Sequence, residues 1–275
     1  MVGSALLGLY KHSGLMALQS AVRRKTGRTH LSIVLFHRVT DAIPPDGLTV
    51  GTAWFQDFCA LMRRSYRVIS LAEAFQYAND SHPIPPNTVA ITFDDTYADN
   101  LPASRILAAH RLPATFFVST SYVGNERSYP WDAHLPKLPN LSWDDLREMM
   151  SLGHEIGSHS ADHSDFGKID AETALRELTE SKRILEEQLR KPTRWFAYPF
   201  GGCEHFRPEF LPLVYEAGYQ GCVSAYGGSV VPGMKGKILP REAMPYFKNL
   251  THMELHLSGC FDWIYACKRR LGWIR

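Results

Sequence analysis

Seven short apolar runs, each of strand length, alternate along this chain with segments of helical periodicity, and no other feature restricts its fold as much. The runs cover 32–36, 89–93, 114–119, 155–158, 195–198, 219–224 and 238–240. A strand that returns parallel to its neighbour needs a long crossover, usually a helix. The alternation therefore predicts a parallel α/β sheet, and seven such units suit a closed or nearly closed barrel. Helical patterns fall at 53–64 and 71–79, near Asn100 with Pro102 in the first turn, and after the capping box of Ser142 and Asp145 up to Gly153. Two more run from Ala171 to Arg190, with Leu175, Leu178, Leu185 and Leu189 on one face, and from Pro208 to Gly218. No Gly/Ser/Pro linker or internal repeat interrupts the 275 residues, so a single domain is expected.

The polar residues matter most where these runs stop. His37, Asp94, Asp95, His159, the turn Pro199-Phe200-Gly201, and Arg241 each lie just past the C-terminal end of a predicted strand, the face on which barrels carry their active sites. Adjacent carboxylates such as Asp94 and Asp95 are costly at a strand end unless a cation is near. A divalent metal held by Asp95, His159 and His163 would supply one. The H-x-x-x-H spacing alone is weak, since a chain with twelve histidines produces it by chance, and His252 with His256 repeats it. That second pair adjoins no strand end or carboxylate pair and is read as surface or packing. One carboxylate and two imidazoles make a borderline-hard site with room for water. Such a metal lowers the pKa of its water from about 15.7 to about 7. Asp94 then accepts the proton of the attacking water; the alternative, a helix cap near Asn100, suits Asp99 better.

The order Thr92-Phe93-Asp94-Asp95, then His159-Ser160-Ala161-Asp162-His163, then a strand closing on Pro199-Phe200-Gly201, resembles the polysaccharide deacetylases, carbohydrate esterase family 4 or NodB homology family. The resemblance covers about 32–241. It implies a distorted (β/α)7 barrel that removes acetyl groups from N-acetylated sugars with a divalent metal, zinc first, with cobalt or nickel as alternatives. Asp94 would be the base, Asp95, His159 and His163 the metal ligands, and the N–H of Phe200, after Pro199, an oxyanion donor.

Two departures from the family pattern stand out. Ala197 occupies the place of a usual arginine, and Arg241 is the candidate replacement beside the base, against the alternative of a structural ion pair. The family's L-x-H motif, which supplies the general acid, is absent near the C-terminus, where Leu255 and His256 are adjacent. Leu35-Phe36-His37 fits it instead. This resembles the circularly permuted poly-β-1,6-N-acetylglucosamine deacetylase type. In a closed barrel the first and last strands are neighbours, so permutation leaves the site unchanged in space. His37, with an ordinary pKa near 6.5, would protonate the leaving amine; the alternative is a buried histidine bonded to backbone. Trp131, Tyr129, Phe200 and Tyr226 are candidates for stacking on a sugar ring, Trp131 first, or for packing.

The net charge of +2 is unevenly spread. Residues 1–30 carry Lys11, Arg23, Arg24, Lys25 and Arg28 with no acid, and 260–275 carry Lys268, Arg269, Arg270 and Arg275 against Asp262. Both ends also hold leucines or aromatics, which fits interfacial anchoring on anionic lipid as well as amphipathic helices packing on the body. The expected organisation is a basic amphipathic extension (1–30), the barrel (31–245) and a basic, aromatic helical extension (246–275). No apolar run reaches the ~20 residues of a membrane span. Residues Val2 to Tyr10 lack a basic n-region and a cleavage site, so no cleaved signal peptide is expected. Five cysteines without a C-x-x-C pair favour a reducing compartment. A cytoplasmic protein, peripheral on the membrane face, is the resulting expectation. Its partner would be an N-acetylated polysaccharide or lipid-linked glycan, and no nucleic acid. Rival activities are deformylation of a lipid-linked amino sugar, O-acetyl ester hydrolysis, or silent glycan binding.

Overall fold

The computed structural model of the protein describes residues 29–80, 82–244 and 250–259. It opens on β1 (Leu31–Phe36), β2 (Arg38–Val39), β3 (Thr49–Val50), α1 (Thr52–Ser65), β4 (Arg67–Ile69) and α2 (Leu71–Asn79). Then follow β5 (Thr88–Asp94), α3 (Asn100–Ala109), β6 (Thr115–Val118), α4 (Trp143–Ser151), β7 (Glu155–Ser158) and α5 (Ala171–Leu189). The last elements are β8 (Trp195–Ala197), α6 (Leu211–Glu216), β9 (Gly221–Val223), β10 (Glu242–Ala243) and α7 (Leu250–Leu257). β1 and β5 are buried along their whole length, as strands covered on both faces must be.

The sheet runs β10-β1-β5-β6-β7-β8-β9 with every pair parallel, and β4 adds to β5. Leu239 bridges in parallel to Val223 of β9, while Glu242 and Ala243 pair with Val34 and Leu35 of β1. This one stretch touches both ends of the path and curls the sheet into a distorted (β/α)7 barrel. The strand expected at 238–240 is thus only a bridge at Leu239. Pro240 has no N–H for a ladder, so pairing resumes at Glu242 and leaves Arg241 between the two contacts. β2, β3 and β4 have two or three residues each, too few to show a period, and were not predicted.

Strand alternation sorts the core. On one side Phe36, Phe93 and Phe116 stack in series, with ring centroids 5.3 and 4.5 Å apart, against Phe55 and Phe58 of α1. With Phe93 committed to the helices, its neighbours Thr92 and Asp94 face the barrel interior. On α4, the capping box forms as predicted: Asp145 N–H donates to Ser142 Oγ, and Ser142 N–H to Asp145 Oδ2. Asp99 stands at the start of α3 but makes no side-chain cap; its Oδ1 accepts from Val39 N–H instead. The buried stripe of α5 is Ala174, Glu177, Leu178, Ser181 and Leu185, with two polar residues inside it; Leu189 packs against the core part-buried, and Leu175 is half-buried.

Most of the two basic extensions, 1–28 and 260–275, including Asp262 and Trp263, lies outside the described residues. Of the C-terminal one, α7 is described. No helix among the described residues is long and apolar enough to cross a membrane.

Candidate active site

Adjacent residues of a strand point to opposite faces, so two neighbouring aspartates reach one cavity only if the backbone turns between them. Asp94 ends β5, and Asp95 adopts a left-handed φ of 70°. Both carboxylates thereby line a cavity of about 350 Å³ together with Leu35, His37, Trp131, His159 and Phe200. Of the seven non-glycine residues with positive φ among the described residues, four are Asp95, Ser160, His163 and Phe200. Each such conformation costs on the order of 1–3 kcal/mol, so strain is concentrated where the polar side chains converge.

His159 follows β7. Its Nδ1 donates to the Ala197 carbonyl at 2.9 Å, which fixes the lone pair on Nε2 in the neutral ring. Nε2 lies 3.7 Å from Asp94 Oδ2 and 3.9 Å from Asp95 Oδ1. Burial lowers the His159 pKa to about 4, with Asp94 opposing the shift, so the ring is neutral at pH 7 and offers a ligand lone pair. His163 Nε2 is 3.3 Å from Asp95 Oδ1, and that oxygen is buried without a hydrogen-bond partner. Ligand atoms of Asp95, His159 and His163 lie within 4.8 Å of one another, the one such group among the described residues. An orphaned carboxylate oxygen and a lone pair held in place are the donor set a divalent ion requires, and the residues present fit it. His252 and His256 sit on α7, where His256 Nδ1 lies 3.8 Å from the Glu242 carboxylate.

Asp94 is held differently. Arg241 Nη1 and Nη2 donate to its Oδ1 and Oδ2 at 2.7 and 2.6 Å. The guanidinium is fully buried, with Nε on the Ser224 carbonyl and Nη1 on Thr92 Oγ1. Burial pushes the Asp94 carboxyl upward, but Arg241, His159 and His37 outweigh it and leave the pKa below the ordinary carboxylate value. Asp95 is likewise raised by burial and brought below that value by His163, His37 and His159. The cation beside Asp94 comes from the closing stretch of the barrel rather than from position 197, where the buried Ala197 lends its carbonyl to His159.

β1 and β5 are in register, Phe36 opposite Phe93, so His37 lies beside Asp94 at the mouth. Its Nδ1 is out of solvent contact with no hydrogen-bond partner, contrary to the alternative of a histidine bonded to backbone. Burial lowers its pKa from 6.5, with Asp95 and Asp94 opposing. It is a stronger acid, and less often protonated at neutral pH, than its ordinary value implies.

The turn after β8 presents Phe200 at a φ of 62°, 46% exposed, with its N–H bonded to none of the described residues. Pro199 is buried behind it. Gly201 has a φ of 65°, and a Cβ there would lie 2.6 Å from Ala225 N, so only glycine fits. Trp131 lines the cavity, its ring 4.9 Å from His163 and 5.7 Å from Phe200, and its Nε1 donates to Tyr97 Oη. Tyr129 is buried beneath it, with its hydroxyl at Thr96, and Tyr226 Oη donates to the Ile238 carbonyl. Neither lines the cavity, so packing is their role.

Residues the sequence did not single out brace the walls from behind. Arg38, 1% exposed, donates to Asp132 and Asp46 and so ties the loop of Gly47 and Leu48 to the turn carrying Trp131. Tyr97 Oη donates to the same Asp132. The signal was a charged residue two positions past a buried strand, where a side chain without solvent needs a partner.

The polysaccharide deacetylase family model matches residues 81–221, and the chain belongs to that family of enzymes. It is 28% identical over 179 residues to a poly-β-1,6-N-acetyl-D-glucosamine N-deacetylase of Staphylococcus aureus, which covers 61% of this chain and 58% of that relative. In fold it is similar to IcaB from Ammonifex degensii, with a TM-score of 0.69 and 20% identity over 84% of this chain and 97% of that one. It is also similar to the Streptococcus pyogenes deacetylase PplD, solved with acetate, with a TM-score of 0.68 and 20% identity over 83% of this chain and 98% of that one.

Proposed function

We propose that the protein is a divalent-metal-dependent de-N-acetylase of an N-acetylated glycan, either a polysaccharide of the kind its Staphylococcus aureus relative is named for or a lipid-linked precursor. The observation that carries the reading is the division of two adjacent carboxylates: Asp95 lies within reach of two imidazoles, and Asp94 is clamped by Arg241. A divalent ion held by Asp95, His159 and His163 would polarise the amide carbonyl and acidify water.

The chain's own groups account for the protons. Asp94, ionised by Arg241, takes a proton from the attacking water as its oxygen bonds to the acetyl carbon. The N–H of Phe200 serves the developing oxyanion. As the carbon–nitrogen bond breaks, His37 delivers a proton to the departing nitrogen, releasing acetate and a free amino sugar. The apolar wall of Leu35, Leu48, Ala225 and Ala243 suits a methyl group, and Trp131 with Phe200 offers two ring faces to a sugar.

Supplied with zinc, the protein is expected to release acetate and a stoichiometric amine from N-acetylglucosamine oligomers, and less product from O-acetylated or N-formylated analogues. Formate release exceeding acetate release turns the reading toward a deformylase. Acetate without amine turns it toward an esterase, and binding without any product toward a silent relative.

The membrane-side version rests on the basic, aromatic ends of the sequence alone. It places the enzyme at the cytoplasmic face of the membrane, on a lipid-linked substrate.

A further inference from the structure

The loop carrying both histidines is short, strained and oddly anchored. Between His159 and His163 the backbone turns twice through left-handed conformations, at Ser160 (φ 66°) and His163 (φ 58°). Its first half is tied to neighbouring strands and turns. His159 N–H donates to the Val118 carbonyl, Thr120 N–H to that of Ser160 and Ser121 N–H to that of Ala161.

The next two amides point elsewhere. Ala161 N–H and Asp162 N–H both donate to one carboxylate oxygen, Glu177 Oε2, at 3.1 and 2.9 Å. Glu177 is 5% exposed, lies within the buried stripe of α5, and has no salt-bridge partner among the described residues. A carboxylate buried without a cation is expensive unless hydrogen bonds compensate, and successive amides converging on one anion form such a cradle. One turn further along α5, Ser181 Oγ pairs with Ser158 Oγ at 2.8 Å, and Ser158 Oγ accepts from Ser160 N–H at 3.3 Å. The stripe of α5 thus reaches the loop at two points, and nothing in ordinary helix packing requires an acid there.

We infer that Glu177 is a positioning residue for the metal site: by fixing the amides of Ala161 and Asp162 it sets the separation of the His163 and His159 rings. This rests on the proposed role of Asp95, His159 and His163 as metal ligands. Outer partners that orient ligands typically change metal affinity by about 10- to 100-fold when removed.

The test is titration of the metal-free protein with Co2+, followed by visible absorption, alongside thermal melts without metal. Glu177→Ala is expected to weaken Co2+ binding about 10- to 100-fold. Glu177→Gln, which keeps an oxygen at the same reach, should restore most of that affinity. Glu177→Asp withdraws the acceptor by one methylene and should weaken binding even though the charge is kept, and it decides the matter if the alanine variant does not fold. A role in stability alone lowers the melting point of the metal-free variants and leaves the affinity of the folded protein at the wild-type value. That result, in the alanine or aspartate variant, overturns the inference. A wild-type protein that binds no Co2+ overturns the functional reading beneath it, which is a different outcome.

Discussion

Asp94→Asn is expected to lower kcat by about 10²- to 10⁴-fold, the usual worth of a positioned general base, while the protein still takes up one equivalent of metal. Asparagine has the same shape and keeps an oxygen for one nitrogen of Arg241, so the barrel mouth should hold its form. What disappears is the carboxylate that accepts a proton. His159→Ala should lose both metal and turnover, because Nε2 of that ring is aimed by the Ala197 carbonyl toward the two aspartates. Metal content by elemental analysis, set beside amine release, separates the two variants. An Asp94→Asn enzyme with near wild-type turnover contradicts the assignment of the base.

Arg241→Met is expected to have the largest effect on stability and on pH dependence. The arginine fills a fully buried position and binds both oxygens of a carboxylate that is 3% exposed. Removing one partner of a buried pair costs about 3–5 kcal/mol, because the other is left charged without compensation. In the wild type the Asp94 pKa is depressed below 3.8. The pair's contribution is therefore complete above 3.8 and is lost as pH falls through the lower, folded value. Without Arg241 the strongest group holding this buried carboxyl down is gone, and its pKa rises. The acid limb of the kcat profile should then move to higher pH, with activity partly recovered under alkaline conditions, and the melting point at pH 7 should fall. An unchanged acid limb would show that Arg241 is a structural prop and does not tune the base.

Much of the barrel was legible because burial on both faces forces long apolar strands, which β1 and β5 display over six and seven residues. The residues past those strands could be found for the same reason: His37, Asp94, Asp95 and His159 interrupt apolar runs with groups that need a partner. Arg241 was harder. Its neighbourhood forms only where Leu239 and Glu242 reach opposite ends of the sheet, and a two-residue strand such as β10 has no period to read. Glu177 was hidden by its helix. A single acid among Ala174, Leu178 and Leu185 looks like noise in a leucine pattern until the amides of Ala161 and Asp162 are seen to meet it. Arg38 and Asp132, 94 residues apart in sequence, show no relation before the chain folds. Tyr129 shows the reverse failure, since an aromatic in a loop reads as a surface ring, and here a stack on Tyr122 with centroids 4.0 Å apart buries it.

On the proposed function, deacetylation needs one divalent ion held by Asp95, His159 and His163. The most direct test of this requirement follows amine release from an N-acetylglucosamine oligomer by protein stripped with a chelator and then titrated with zinc. The stripped protein is expected to release no amine, and recovery is expected to saturate at one equivalent of zinc. Full activity in stripped protein of verified metal content would contradict the requirement.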